Sequence, residues 1–277
     1  MPIKNKLLKT IRKIIKPFLG HGFGRFFLFR SGYRFLIARF NPIEVHGQKM
    51  FIESSDGLEL FIKPTHEEFE LELFKKEIKK GDYILDIGAH IGYYSLIAAE
   101  IVGSQGKIFA FEPDPESFAL LRKNIKINNY NNITPVQKAV SDENKKGKLY
   151  LDEKRARNRI YDSLENNRSI EIEVLKLDDF IKEKVDFIKM DIEGSEVFAL
   201  KGMKSILDKN KQLKLMTEFY PILIRKSGSD PMDFLNLLKE HGFSINKINS
   251  EGKRIEPVKN LKEIINIKDY LNLFCHK

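Results

Sequence analysis

The chain has 277 residues, no tryptophan and a single cysteine, Cys275. One thiol cannot close an internal disulfide, and there is no CxxC pair or Cys/His cluster with zinc spacing. That usage fits a reducing compartment. No apolar run approaches the roughly 18 residues of a membrane span. The N-terminus does not read as a secretory leader, because charge interrupts its apolar residues every two or three positions. Acid is also missing from residues 1–43, which hold ten cations between Lys4 and Arg39. The remainder carries 38 bases against 39 acids. The net charge of +9 therefore belongs to an N-terminal arm and not to the body, which argues against a body built to bind nucleic acid.

What is present suits a soluble globular protein, 42% hydrophobic and 31% charged. Within the arm, Ile3, Leu7, Leu8, Ile11, Ile14, Ile15, Phe18 and Leu19 form a helical apolar stripe with lysine and arginine opposite. Residues 26–40 alternate aromatics with Arg30, Arg34 and Arg39. Three readings fit. The arm is a helical appendage with solvated cations, an interfacial helix on an anionic membrane, or an RNA clamp. The membrane reading suits an enzyme of lipid-linked glycans, with the protein cytoplasmic and residues 1–40 holding it at the inner membrane face. No RNA-binding module accompanies the aromatics, so nucleic acid is the least favoured partner.

Residues 44–80 read as a β-hairpin turning at Asp56-Gly57, then a helix over 66–79 stopped by Gly81. From residue 81 strands and helices alternate. Short apolar strands are expected near 83–88, 107–112, 133–139, 185–191 and 212–219. Helices are expected near 92–102, 115–128, 195–207 and 231–241, and two further strands near 243–249 and 269–276. A polar excursion at 141–175 carries strands at its two ends. This order predicts an α/β fold with a mostly parallel sheet covered on both faces. The chain divides into the arm (1–43), the hairpin and lead-in helix (44–80), and one α/β domain (81–277).

The join between the first strand and helix of that domain reads DIGAHIGYYS, residues 86–95. Its glycines are spaced Gly88-x-x-x-Gly92, so the dinucleotide fingerprint GxGxxG is not met. No Gly-Lys-Ser/Thr follows, so it is no phosphate loop of the Walker type either. Such a turn can receive a ligand carboxylate on free backbone N–H groups, while Asp86 attracts an ammonium. The next strand ends in FEPDP, with Glu112 where an acid chelates ribose hydroxyls. A ligand with an amino acid at one end and a nucleoside at the other is S-adenosylmethionine. A purely structural turn would need the glycines but not Glu112.

Methyl transfer needs an aligned acceptor and, for a hydroxyl, a group that removes its proton. The Asn/Asp-Pro-Pro-aromatic pattern of base N-methylation is absent. Cys275 follows Phe274 in a terminal strand and reads as a packed thiol. The fourth strand instead runs into acids, Asp191 and Glu193, with Glu196 opening the next helix and Glu218 ending the fifth strand. Glu196 reads as a first-turn dipole partner. The others suit a general base or a hard divalent cation, though nothing singles out a metal site.

In this order DIGAHIGYYS, FEPDP, Ser163-Leu164, LKLDDF (175–180), IKMDIEGSE (188–196) and Glu218 resemble the FkbM family of S-adenosylmethionine-dependent methyltransferases. The resemblance runs from about residue 80 to 220, and LDD with DIEGxE discriminates it from other class I methyltransferases. It implies a Rossmann-like three-layer sandwich with a seven-stranded sheet, and O-methylation, often of sugar hydroxyls in glycans, glycolipids or secondary metabolites. It places donor contacts on Asp86, Gly88, Ala89, Gly92 and Glu112, and Asp191 and Glu193 beside the methyl group. His90, where the family has Asn, is expected to shape the donor pocket. The rivals are an RNA methyltransferase that uses the arm as a clamp and an idle scaffold; Gly88, Gly92, Glu112 and Asp191, all intact, argue against the second.

Overall fold

The computed structural model describes residues 41–52, 67–152, 155–162 and 168–277. Residues 1–40 of the basic arm, Asp56-Gly57 and Ser163-Leu164 lie outside the described residues.

Strands β1 (Ile43–Val45) and β2 (Gln48–Met50) form a hairpin that turns at His46 and Gly47, both at positive φ. Helix α1 (Glu68–Glu77) precedes Gly81. Then come β3 (Tyr83–Ile87), α2 (Tyr93–Val102), β4 (Lys107–Phe111), α3 (Pro115–Ile127) and β5 (Ile133–Val136). The excursion holds β6 (Ala139–Ser141), β7 (Lys145–Tyr150) and β8 (Ser169–Lys176), followed by the single turn α4 (Leu177–Phe180). The second half has β9 (Phe187–Met190), α5 (Glu196–Lys201), α6 (Lys204–Lys209), β10 (Lys214–Phe219), α7 (Pro221–Lys226) and α8 (Pro231–Glu240). It ends with β11 (Ser244–Asn249), β12 (Arg254–Pro257), α9 (Leu261–Ile264) and β13 (Leu271–His276).

The main sheet runs β5-β4-β3-β9-β10-β13-β11-β12. Strands β5, β4, β3, β9 and β10 pair in parallel, while β13 is antiparallel to both neighbours. The five parallel strands are short and apolar because both faces are covered. Ile84, Phe187 and Met216 face one core with α1, α2 and the β1–β2 hairpin, and Leu85, Ile188 and Leu215 face the other with α5 to α8. The three-layer α/β expectation holds, with one correction. The sheet has eight strands, not seven, because β11 folds back into the edge strand β12. Its side chains are mostly exposed, so no hydrophobic pattern marks it.

Two further differences have local causes. The helix expected over 195–207 breaks at Gly202-Met203, where the Ser141 backbone packs so close that a Cβ on Gly202 would lie 1.9 Å from its carbonyl oxygen. The Asp178 carboxylate caps the N-terminus of α6 through the Ser205 and Ile206 N–H groups at 2.9 and 3.0 Å. The LDD motif therefore has a structural task. The excursion forms its own small sheet, β6-β8-β7.

The chain leaves β3 toward β4 on one side and returns to β9 on the other. The carboxyl ends of β3 and β9 are thus the switch point where open α/β sheets bind ligands.

Candidate active site

Asp86 lies near the end of β3, 3% exposed, and accepts a hydrogen bond from the Ser95 hydroxyl of α2. Burial pushes its carboxyl up to about 6, while Ser95 and Lys189 hold it back. Gly88 follows at φ +86°. A Cβ there would lie 1.9 Å from the Asp191 carbonyl oxygen, so the turn closes only on glycine. Gly92 is at φ +93°, where a Cβ would lie 2.6 Å from Leu121 Cδ1.

Here the structure corrects an expectation. The N–H groups of Gly88 and Ala89 both donate to the Phe111 carbonyl oxygen, at 3.0 and 2.9 Å, and that of Gly92 donates to Ala89 at 2.8 Å. They are spent on fixing the turn to the end of β4 and do not form a free anion cradle. What the glycines supply is a close fit of the turn against the Asp191 carbonyl oxygen and Leu121.

Glu112, just past β4, is 7% exposed. One carboxylate oxygen accepts from the His90 N–H and the other from the Asp114 N–H, both at 2.8 Å. Burial pushes the group up to about 7, and His90 and these N–H groups oppose the shift. Each oxygen keeps a second lone pair, so Glu112 is oriented rather than used up. Asp114 caps α3 through Glu116 and Ser117. His90 sits at φ +49°, a left-handed conformation that Asn and His enter more readily than most residues. The exchange of Asn for His therefore keeps the backbone shape of the turn.

A buried acid on β3 and a buried, oriented acid two residues beyond Asp86's partner Ala110 on the adjacent strand are a donor set that fits the two ends of an amino-acid nucleoside.

Across the switch point, Asp191 follows β9 with its side chain 40% exposed. Glu193 is at φ +53° and Gly194 at φ +100°, where a Cβ would meet the Leu223 backbone at 2.6 Å. Glu196 turns back to accept from the N–H groups of Gly194 at 3.2 Å and Ile192 at 3.4 Å, so it shapes the DIEG loop in addition to opening α5. Burial, then repulsion from Asp191, pushes Glu193 up to about 8, with Arg159 and Arg157 offsetting. Glu218 on β10 is raised well above the carboxylate range by burial, then by Asp191, Glu193 and Glu196. The structure thus brings Asp191, Glu193 and Glu218 close enough to feel one another's charge. Among the described residues no group of three or more His, Cys, Asp or Glu is arranged to hold a metal ion.

The excursion crosses both halves of the site. Asn158 donates to Asp114 at 2.8 Å, and the Tyr161 hydroxyl donates to the Glu193 carbonyl oxygen at 2.9 Å. The sequence reading did not single out these two, nor the buried Lys189, which reaches Asp191 at 3.4 Å. A lysine inside an otherwise apolar central strand was the available signal. Cys275 is fully buried and its thiol is pushed up to about 12, which suits packing and not attack.

The model of the FkbM methyltransferase domain matches residues 86–245. The chain belongs to the FkbM methyltransferase family. It is an S-adenosylmethionine-dependent methyltransferase. Among its relatives, methyltransferase 1 of Beauveria bassiana is 23% identical, over 55% of this chain and 74% of its own. Hexuronic acid methyltransferase AglP of Haloferax volcanii is 25% identical, over 65% of this chain and 72% of its own. Among solved structures, the FkbM methyltransferase of Methylobacillus flagellatus superposes with a TM-score of 0.47 at 19% identity, covering 79% of this chain and 52% of its own. No helix among the described residues is long and apolar enough to cross a membrane.

Proposed function

We propose that this FkbM methyltransferase methylates a hydroxyl of a sugar, in a glycan, a glycolipid or a glycosylated metabolite. The observation that carries the reading is the meeting of Asp191, Glu193 and Glu218 across the switch point from the Gly88 turn. A hydroxyl must lose its proton as it attacks, and a base that titrates near neutrality serves best. Glu193, at about 8, meets that need. Asp191 is engaged by Lys189 and is left to orient the acceptor. Glu218, held protonated, donates a hydrogen bond to an acceptor oxygen.

S-adenosylmethionine supplies an electrophilic methyl group. In this reading Asp86 takes the ammonium of its amino-acid end, and Glu112 takes the ribose hydroxyls. Gly88, Ala89 and Gly92 hold the turn beside the donor in its tight shape, and His90 orients Glu112 through its N–H. With the donor bound, the acceptor oxygen would take the methyl carbon as the carbon–sulfur bond breaks and S-adenosylhomocysteine leaves, and the hydroxyl proton would pass to the Glu193 carboxylate.

Two further observations support a sugar acceptor. Tyr220 and Tyr270 lie together, ring centroids 6.2 Å apart, and Tyr270 is 46% exposed within reach of the Glu218 charge. Exposed tyrosine faces suit the apolar face of a sugar ring. The Haloferax volcanii relative is a hexuronic acid methyltransferase.

The test incubates the full chain with deuteriomethyl S-adenosylmethionine and glycans from cells that lack the gene. Label on a sugar oxygen, abolished by Glu193→Gln, is the expected result. Label on nitrogen, or only on RNA, contradicts the reading.

A further inference from the structure

Lys189 is the third residue of β9, 4% exposed, between the fully buried Ile188 and Met190. Lysine is among the residues least often buried, because its ammonium must find compensation away from water. Its register partners are Asp86 on β3 and Met216 on β10. Side by side in a parallel sheet, these residues point to one face, the face covered by α1 and α2. The ammonium lies 3.4 Å from the Asp191 carboxylate and 5.0 Å from the centre of the Tyr94 ring.

Charged and titratable groups face it from each surrounding element. Asp86 comes from β3, Asp191 from the end of its own strand and Glu218 from β10. Glu67 comes from the residue before α1, where it accepts a hydrogen bond from the Tyr94 hydroxyl of α2 at 2.9 Å. A single buried cation thus serves acids on both sides of the switch point. Burial disfavours the charged form of Lys189, but Asp191, Glu67 and Asp86 outweigh it and hold the ammonium charged.

We infer that Lys189 is a positioning residue for donor binding: its buried ammonium, on the residue paired with Asp86 across the sheet and 3.4 Å from Asp191, keeps Asp86 a carboxylate able to receive the ammonium of the methyl donor. The inference rests on the proposed seat of the donor at Asp86. Without Lys189 an acid as buried as Asp86 would bind a proton in preference to remaining charged. At higher pH it would ionise regardless. A lysine that merely filled space would leave no such pH signature when replaced.

The experiment is titration calorimetry of the full chain with S-adenosylhomocysteine across the range from about pH 6 to about pH 8.5. The proteins are wild type, Lys189→Met, Lys189→Arg and Asp86→Asn. Comparing each variant with wild type at the same pH cancels the ligand's own titration. Lys189→Met is expected to bind within about twofold of wild type at the alkaline end and about fivefold more weakly at the acid end, the effect of raising an acid near 6 by about a unit. Lys189→Arg should follow wild type. A loss by the same factor at every pH, or no loss at all, overturns the inference. Asp86→Asn separates the two levels. Unchanged affinity in Asp86→Asn sinks the donor seat itself. Lost affinity there, with Lys189→Met parallel to wild type, sinks only the role of Lys189. Removing one partner of a buried pair can prevent folding. Should Lys189→Met lack a cooperative urea transition, Lys189→Met/Asp191→Asn, which removes the charge nearest the lost ammonium as well, is read against Asp191→Asn by the same criteria.

Discussion

The carbonyl oxygen of Asp191 occupies the space in which residue 88 would carry a side chain, and a Cβ built on Gly88 would lie 1.9 Å from it. The Asp191 N–H, in turn, donates to the Ile87 carbonyl oxygen at 2.9 Å. The glycine turn and the DIEG segment, more than a hundred residues apart, are therefore one fitted piece. The donor side and the acceptor side of the site cannot shift independently at this point.

Gly88→Ala breaks that fit. It forces a Cβ onto backbone and strains a left-handed φ, together worth about 3 kcal/mol or more. Urea denaturation should show the loss, and S-adenosylhomocysteine binding should vanish in whatever folds. Wild-type stability in Gly88→Ala would contradict the packing described.

At position 90 the backbone requirement is conformational, φ +49°. His90→Asn should keep S-adenosylhomocysteine affinity within about threefold, because Asn enters this region readily and the N–H to Glu112 is unchanged. His90→Val should lose about 1–3 kcal/mol of stability, since a β-branched residue is strained there. If His90→Asn binds normally but loses methyl transfer, His90 belongs among the catalytic residues.

Burial raises Asp86 to about 6, Glu112 to about 7 and Glu193 to about 8. In the unfolded chain these groups titrate near 4. The native protein therefore holds protons that the unfolded chain has released. The stability they contribute is complete below about pH 4 and is lost as pH rises through about 8. Acids held low by ion pairs, such as Glu256 at about 2 beside Lys247 and Arg254, complete their change below that window. The urea midpoint of the ligand-free protein should fall from about pH 5.5 to about pH 8.5. A higher midpoint at the alkaline end would contradict the burial of these acids.

Tyr161 ties the excursion to the DIEG loop through one hydroxyl. Tyr161→Phe removes the hydroxyl that donates to Glu193 and should cost about 1 kcal/mol. The kinetic consequence should be a raised KM for the acceptor with donor affinity unchanged. A change in donor affinity alone would mean that the excursion serves the donor instead.

For residues 1–40 we propose an anionic membrane surface as partner, on the apolar stripe and the ten cations without acid. Full-length protein should co-sediment with anionic liposomes at low salt, and protein lacking residues 1–43 should not. Both staying in solution ends the proposal.

Much of this was legible in the sequence because the site lies at strand ends. Asp86, Glu112 and Asp191 each follow a short apolar run, so the period that marks the strand also places the acid. Contacts set by tertiary competition were not legible. The amides of Gly88 and Ala89 could have held a ligand, and only the fold shows that Phe111 takes them. Lys189 sat unread within IKMD because its meaning depends on Asp86, a neighbour across the sheet and 103 positions away in the chain. The edge strand β12 buries too little to leave a pattern. Gly202 reads as helix until the Ser141 carbonyl oxygen is placed beside it.

The most direct test of the central claim, O-methylation of a sugar hydroxyl, is mass spectrometry of glycans from the source cells with and without the gene. The account predicts that one sugar loses the mass of a single CH2 unit in the deletion. Restoring the wild-type gene returns it, and restoring Glu193→Gln does not. Unchanged glycans, with a methyl mark missing from RNA or another macromolecule instead, would contradict it.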